Sequence, residues 1–187
     1  MLIYFTFALI LFGYTPIDKN DCSIQWCNNH LLEWSNFKGT PDKNSSFRAM
    51  ADCGIHYNFK PNFSQDSIIL STNAIFCSST SWVKSDTSLQ LLMHERLHFD
   101  IAELYCRLFK GKLLESNLTF ENYIFRIDSL HKSSLKELNV VQEKYDNETN
   151  HGELTTAQNE WANKVRDLLL NENLNKESEI TLAIVFE

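Results

Sequence analysis

The apolar residues of this chain change period once, and that change limits the fold more than any other feature. In residues 47–60 (FRAMADCGIHYNFK) and 67–77 (SIILSTNAIFC) they fall in short β-type runs. Successive side chains of a strand face opposite sides, so such runs make half-buried strands. Lys60-Pro61-Asn62 separates the two runs, which read as antiparallel neighbours, and Trp82-Val83 ends the sheet region. From residue 87 onward the spacing is that of helices. Thr87-Ser88-Leu89-Gln90 has the form of a capping box with Thr87 as N-cap, and the helix it opens runs to about Phe109, with Gly111 as its stop. A second helix spans roughly Thr119 to Lys144, with Phe120, Ile124, Ile127, Leu138 and Val141 at helical spacing. The polar run Asp146 to Gly152 reads as a loop. Thr155-Thr156-Ala157-Gln158 opens a third helix to about Leu170, with Trp161, Val165, Leu168 and Leu169 inside, and the tail ITLAIVFE reads as a strand. Strands first and helices after give an α+β fold: an N-terminal antiparallel sheet packed on a long helix, followed by two further helices.

At 187 residues the chain suits one domain, here residues 22–187. Its formal charge is -7 and no Lys/Arg block stands out, which argues against a nucleic-acid partner. Leu2 to Tyr14 is almost wholly apolar, yet shorter than the ~20 residues a membrane span requires. Residues 1–21 therefore read as a signal peptide or N-terminal apolar segment, although no Lys or Arg precedes the run and no A-x-A site follows it. The expectation is a secreted or periplasmic protein with no membrane span after signal removal. The alternatives for the segment are a buried strand or an uncleaved anchor. The five cysteines (Cys22, Cys27, Cys53, Cys77, Cys106) are odd in number, so at least one stays free unless chains pair through it. Cys106, in the first helix, reads as a small buried hydrophobe.

Chemistry concentrates in His94-Glu95-Arg96-Leu97-His98, an H-E-x-x-H sequence on the first helix. At about 100° per residue the two histidines lie only about 40° apart, one turn from each other, and both imidazoles can approach one cation. Glu95 lies about 100° from His94, beside the site, where a carboxylate can take a proton from water. An amphipathic core helix with two satisfied histidines is the bland reading. Against it, a His pair and a carboxylate inside a helix flanked by Leu91, Leu92, Leu97, Phe99 and Ile101 cost stability unless something binds them. A catalytic zinc takes three protein ligands and keeps one position open. Asp100 and Glu103 lie on the far side of the helix and are expected to cap, or to pair with Arg96 or Arg107. The third ligand must come from another element: His151, Asp146, His131, His56 or His30. His131 reads as solvated, His56 as a strand residue, and His30 as part of a polar loop. His151 lies in a polar loop beside Gly152, where the backbone can bend to deliver a ligand.

The runs LLMHERLHFDIAELYCRLF and YDNETNHG, with LEWSNFKGTPD and SWV upstream, resemble a bacterial family of uncharacterised exported proteins identified as predicted secreted zinc-dependent proteases. The likeness covers roughly residues 31–170. It implies a zincin-like domain with the sheet packed on the helix that bears His94, Glu95 and His98. The family motif Tyr-Asp-x-x-Thr-x-His-Gly is matched by Tyr145, Asp146, Thr149, His151 and Gly152. The resemblance implies His151 as third metal ligand and Asp146 as the partner that holds an imidazole, or as the ligand itself. It leaves Tyr145 either as an oxyanion donor or as a packing aromatic. The function expected is zinc-dependent hydrolysis of a peptide or protein substrate, with Glu95 as general base. The competing functions are an amidase acting on cell-wall peptides and a zinc-stabilised binding or scaffold domain without turnover.

Overall fold

The computed structural model describes residues 23–28, 31–171 and 174–186. The apolar segment 1–21 lies outside the described residues, as do Cys22 and His30. The fold is α+β. Strands β1 (Ser23–Gln25), β2 (Ala49–Met50), β3 (Cys53–Asn62), β4 (Ser67–Cys77) and β5 (Trp82–Val83) come first. Helices α1 (Leu89–Leu114), α2 (Tyr123–Thr149) and α3 (Thr155–Leu170) follow, and β6 (Glu179–Ala183) ends the series.

β4 is the centre of the main sheet. β3 runs antiparallel along its whole length, from Cys53↔Phe76 to Asn62↔Ser67. Its other edge is shared end to end by β1, opposite residues 75–77, and β6, opposite residues 67–71. β2 and β5 form a separate two-stranded ribbon, so Trp82-Val83 closes a small sheet and does not merely end the large one. The alternation read from residues 67–77 is realised: Ile68, Leu70, Ala74 and Phe76 are buried on the face that meets α1, where the Phe76 and Phe99 ring centres lie 6.0 Å apart. Full burial of large apolar side chains such as these contributes roughly 1.5–3 kcal/mol each, an upper figure for a compact unfolded chain.

Several boundaries fall elsewhere than the sequence suggests. Lys60-Pro61-Asn62 does not separate the strands but ends β3, with Pro61 opposite Ile68. β3 lies at the edge of the sheet, where a residue lacking an N–H is tolerated. The turn comes later, at Asp66, with φ 45°. Ser88, not Thr87, caps α1, its Oγ accepting the Leu91 N–H at 3.3 Å. Gln90 turns away from any capping box and donates to the Gly152 carbonyl at 2.7 Å. α1 continues through Gly111 to Leu114, because Leu113 is fully buried and holds the last turn against the core. α2 extends through Thr149, well into the supposed polar loop, before Asn150 ends it with φ 48°. Cys27, Cys53 and Cys106 are free thiols, and burial pushes the Cys106 thiol up to about 11.

Candidate metal centre

α1 places the two histidines as one turn of helix requires. His94 and His98 are 2% and 6% exposed, and their rings meet edge to face with centres 4.8 Å apart. Their Nε2 atoms lie 3.3 Å from each other. Into the space between them comes Asp146 from the last turn of α2, its Oδ1 3.0 Å from His94 Nε2 and 2.9 Å from His98 Nε2. His94, His98 and Asp146 thus present three donor atoms to one point and could hold a metal ion.

The third donor is therefore Asp146, not His151. The His151 Nδ1 stands 3.7 Å from Asp146 Oδ1, its side chain is 42% exposed, and its ring packs on Phe47 at 4.8 Å. The cause is the persistence of α2. Thr149 donates its hydroxyl to the Tyr145 carbonyl at 2.8 Å and is fully buried, so the helix carries Asp146 to the histidines on a rigid element. Asn150, His151 and Gly152 then turn the chain with φ 48°, 53° and 82°. That turn leaves His151 at the mouth of the site. Arg48 holds it there: one guanidinium nitrogen meets Asp86 at 2.8 Å, another the His151 carbonyl at 3.4 Å.

Tyr145 is not an oxyanion donor in this arrangement. It is fully buried behind His94, its ring stacked on that imidazole at 4.6 Å, and it does not line the cavity at the centre. Its hydroxyl donates to Gln158 Oε1 at 2.7 Å, with the His94 carbonyl oxygen at 3.2 Å. The same Gln158 oxygen lies 3.2 Å from His94 Nδ1. An amide oxygen only accepts, so this contact puts a proton on His94 Nδ1 and leaves Nε2 as the ring atom turned to Asp146 and open to a cation. His98 Nδ1 is buried without a formed hydrogen bond, and the Gln142 amide, one turn before Asp146, acts on that ring. A Gln142 oxygen turned onto Nδ1 would accept its proton and give His98 the same tautomer.

Glu95 lies beside the histidines in a cavity of about 110 Å³, whose opposite wall is residues 47–51 and His151. Its Oε2 accepts the Ala51 N–H at 2.8 Å. Burial raises its pKa, and the neighbouring histidines only partly offset that. Asp146 behaves oppositely: burial works against its charge, but the hydrogen bonds from His94 and His98 hold it well below the usual carboxylate range. Burial also disfavours a charged His98, yet the bond to Asp146 and the field of Glu95 carry its pKa above the ordinary value.

The remaining candidates stand apart. His131 is half-buried and not solvated, with Nε2 2.8 Å from the Ile55 carbonyl oxygen. His56 lies in β3 opposite Asn73. Glu103 pairs with Arg107 at 2.7 Å, as its place on the helix requires, whereas Asp100 accepts from Trp26 Nε1 at 2.8 Å. Gln142 and Gln158 escaped the sequence reading: one sits on a polar helix, and the other was absorbed into a capping-box pattern. Leu154, with no side-chain bond, is the actual N-cap of α3. Compared with known protein families, with curated proteins and with solved structures, the chain matches none.

Proposed function

We propose that the chain is a metal-dependent hydrolase of zincin type, most simply a zinc endopeptidase that is exported by its N-terminal segment. The observation that carries this reading is the triangle of donors from His94, His98 and Asp146, with edges of 3.3, 3.0 and 2.9 Å. Zinc bonds of 2.0–2.1 Å at tetrahedral angles demand a donor separation of about 3.3 Å, so the triangle fits the ion with sub-ångström adjustment. Two neutral imidazoles and a carboxylate match the donor set of peptidase sites, and the Gln158 amide oxygen supports the His94 tautomer from behind.

A bound zinc would polarise both a water and the substrate carbonyl. The chain's own part is positional and protonic. Asp146 and the glutamines aim the imidazoles. Glu95, buried and held by the Ala51 N–H, takes a proton from water in the 110 Å³ cavity and returns it to the leaving amine. Its raised pKa brings it toward the range a general base needs. The Ala51 bond also favours a second reading, in which Glu95 is a tie between α1 and the residue that follows β2, within a metal-stabilised binding domain.

Glu95→Gln separates the two. As a hydrolase, the variant keeps the metal and loses about a hundredfold or more of its turnover on peptides, the range assigned to a general base. If it hydrolyses peptides as fast as the parent, the catalytic reading fails. A panel of linear peptides and peptidoglycan fragments distinguishes an endopeptidase from a cell-wall amidase.

A further inference from the structure

The far end of α1 leads to a cluster of aromatic rings at the surface. From His98 to Leu114, α1 carries the chain about 24 Å, at 1.5 Å per residue. Beyond it three segments meet: the turn 63–66 between β3 and β4, residues 118–124 leading into α2, and the tail 184–186. Backbone bonds tie them together. The Ile184 N–H donates to the Asp66 carbonyl at 2.7 Å, the Val185 N–H to the Leu118 carbonyl at 2.9 Å, and the Phe120 N–H to the Val185 carbonyl at 3.0 Å. Leu118 and Ile184 are buried, whereas Phe120, Val185 and Phe186 are exposed. The Phe120 ring centre lies 5.8 Å from that of Phe63 and 5.4 Å from that of Phe186. Helical bonds from the Tyr123 N–H to Thr119 and from the Arg126 N–H to Asn122 put Ile124 one turn beyond Phe120, on the same side.

Phe63, Phe120 and Phe186 are 52%, 45% and 51% exposed, and Ile124 and Val185 are 58% and 59% exposed. With about 200 Å² for a whole aromatic side chain and about 100 Å² for an aliphatic one, roughly 400 Å² of apolar surface faces water here. One side of a standard interface covers about 800 Å², and in homodimers about 65% of it, or about 500 Å², is apolar. The cluster therefore supplies most of the apolar share that one copy brings to a stable dimer. Around it Lys60, Asp66, Glu121 and Arg126 are exposed, each within three residues of a cluster side chain, and among the described residues none of them forms an ion pair. Each copy thus presents both signs beside one apolar centre, so the charges of two copies can pair across a two-fold axis. A lipid surface fits less well. The rim has no excess of positive charge, the chain carries -7, and the rings are Phe, not the Trp and Tyr that membrane interfaces favour.

We propose that this surface is the face through which two copies of the chain associate into a two-fold dimer, with Phe120 between Phe63 and Phe186 as its apolar centre. Burial of the rings removes the largest aromatic cluster from water, and the mixed rim fixes which way the copies meet. The metal centre lies in the first half of α1, away from this face, and stays open in the dimer.

The test is sedimentation velocity of the full chain from about 1 to 100 µM, the weak end of what an interface of standard size supports, with and without chelator. A reversible monomer–dimer equilibrium is expected, the same in both conditions, with slower amide exchange of residues 118–126 and 184–186 in the dimer. Phe120→Asp and Phe186→Asp should each weaken association by about 1,000-fold, because a loss of about thirtyfold at a buried aromatic anchor counts once for each copy. Leu31→Asp and Leu170→Asp, at leucines that are 64% and 65% exposed but lie outside this surface, should leave it unchanged. Phe186 lies outside every strand and helix, so its variant keeps the test decisive if Phe120→Asp fails to fold. A chain that stays monomeric at about 100 µM overturns the proposal, and so does one that binds phosphatidylcholine vesicles in place of a second copy. A dimer that survives either aspartate in a folded variant, that is lost equally with the leucine variants, or that dissociates in chelator overturns it as well.

Discussion

Gly152→Ala is the most informative single substitution, because the structure gives both its mechanism and its size. Gly152 has φ 82°, and a Cβ built there would stand 2.8 Å from His94 Cβ, 2.9 Å from its Cγ and 3.2 Å from Nδ1. A left-handed conformation costs a residue with a side chain about 1–2 kcal/mol. Crowding a packed site adds about 1–3 kcal/mol. The sum, about 2–5 kcal/mol, corresponds to a fall of roughly 4–20 °C in Tm for a domain of this size. His94 would have to withdraw by more than about half an ångström to regain ordinary contact. Metal ligands tolerate only about 0.2 Å, so affinity for zinc should drop by about 10- to 100-fold. Thermal melts in chelator measure the first effect, and competition with a chromophoric chelator measures the second. Gly111→Ala is the internal control: an added Cβ meets nothing within 4 Å in the last turn of α1, and it should raise stability by at most about 0.5–1 kcal/mol. A Gly152→Ala protein that melts with the parent and binds zinc equally well would refute the claim that this turn presses on His94.

Other outcomes follow from the same centre. Asp146→Ala should abolish stoichiometric zinc, measured by elemental analysis of the purified protein, whereas His151→Ala should retain it; the reverse result would restore His151 as the ligand. Without metal, the His98 contribution to stability is full below the unfolded pKa and is lost as pH rises through the higher folded value, while that of Asp146 is present above its unfolded pKa and lost as pH falls through its depressed folded value. Because zinc needs unprotonated rings, the Tm gain from added zinc should grow between about pH 6 and 8, and a constant gain across that interval would contradict the assignment. Gln142→Leu should cost about tenfold in zinc affinity with little loss of fold; an unchanged titration would show that Gln142 does not orient His98.

The order of strands and helices was legible because periods of two and of three to four rest on backbone geometry alone. His94, Glu95 and His98 were legible for the same reason, lying within one turn of a helix. The third donor was not, since it turns on where α2 ends. Asp146 to Thr149 are polar and resemble a loop, and only the burial of Thr149 and the left-handed Asn150 show that the helix persists. Four residues of helix exchange the parts of Asp146 and His151. Tyr145 and Gln158 are similar cases: each matches a local pattern, yet the roles of both come from contact with a histidine more than 50 positions away in sequence.

The shared edge of β4 bears on how the polypeptide reaches this state. One half of that edge waits for β6, whose Ile180 and Leu182 are buried and whose pairing with β4 spans more than a hundred residues. A nascent chain lacking its last segment holds β3 and β4 as a hairpin with half of one flank bare, a template for edge-to-edge association. Closure of the sheet is therefore a late event of high contact order, and deletion of residues 179–186 is expected to yield aggregates before it yields a less stable monomer.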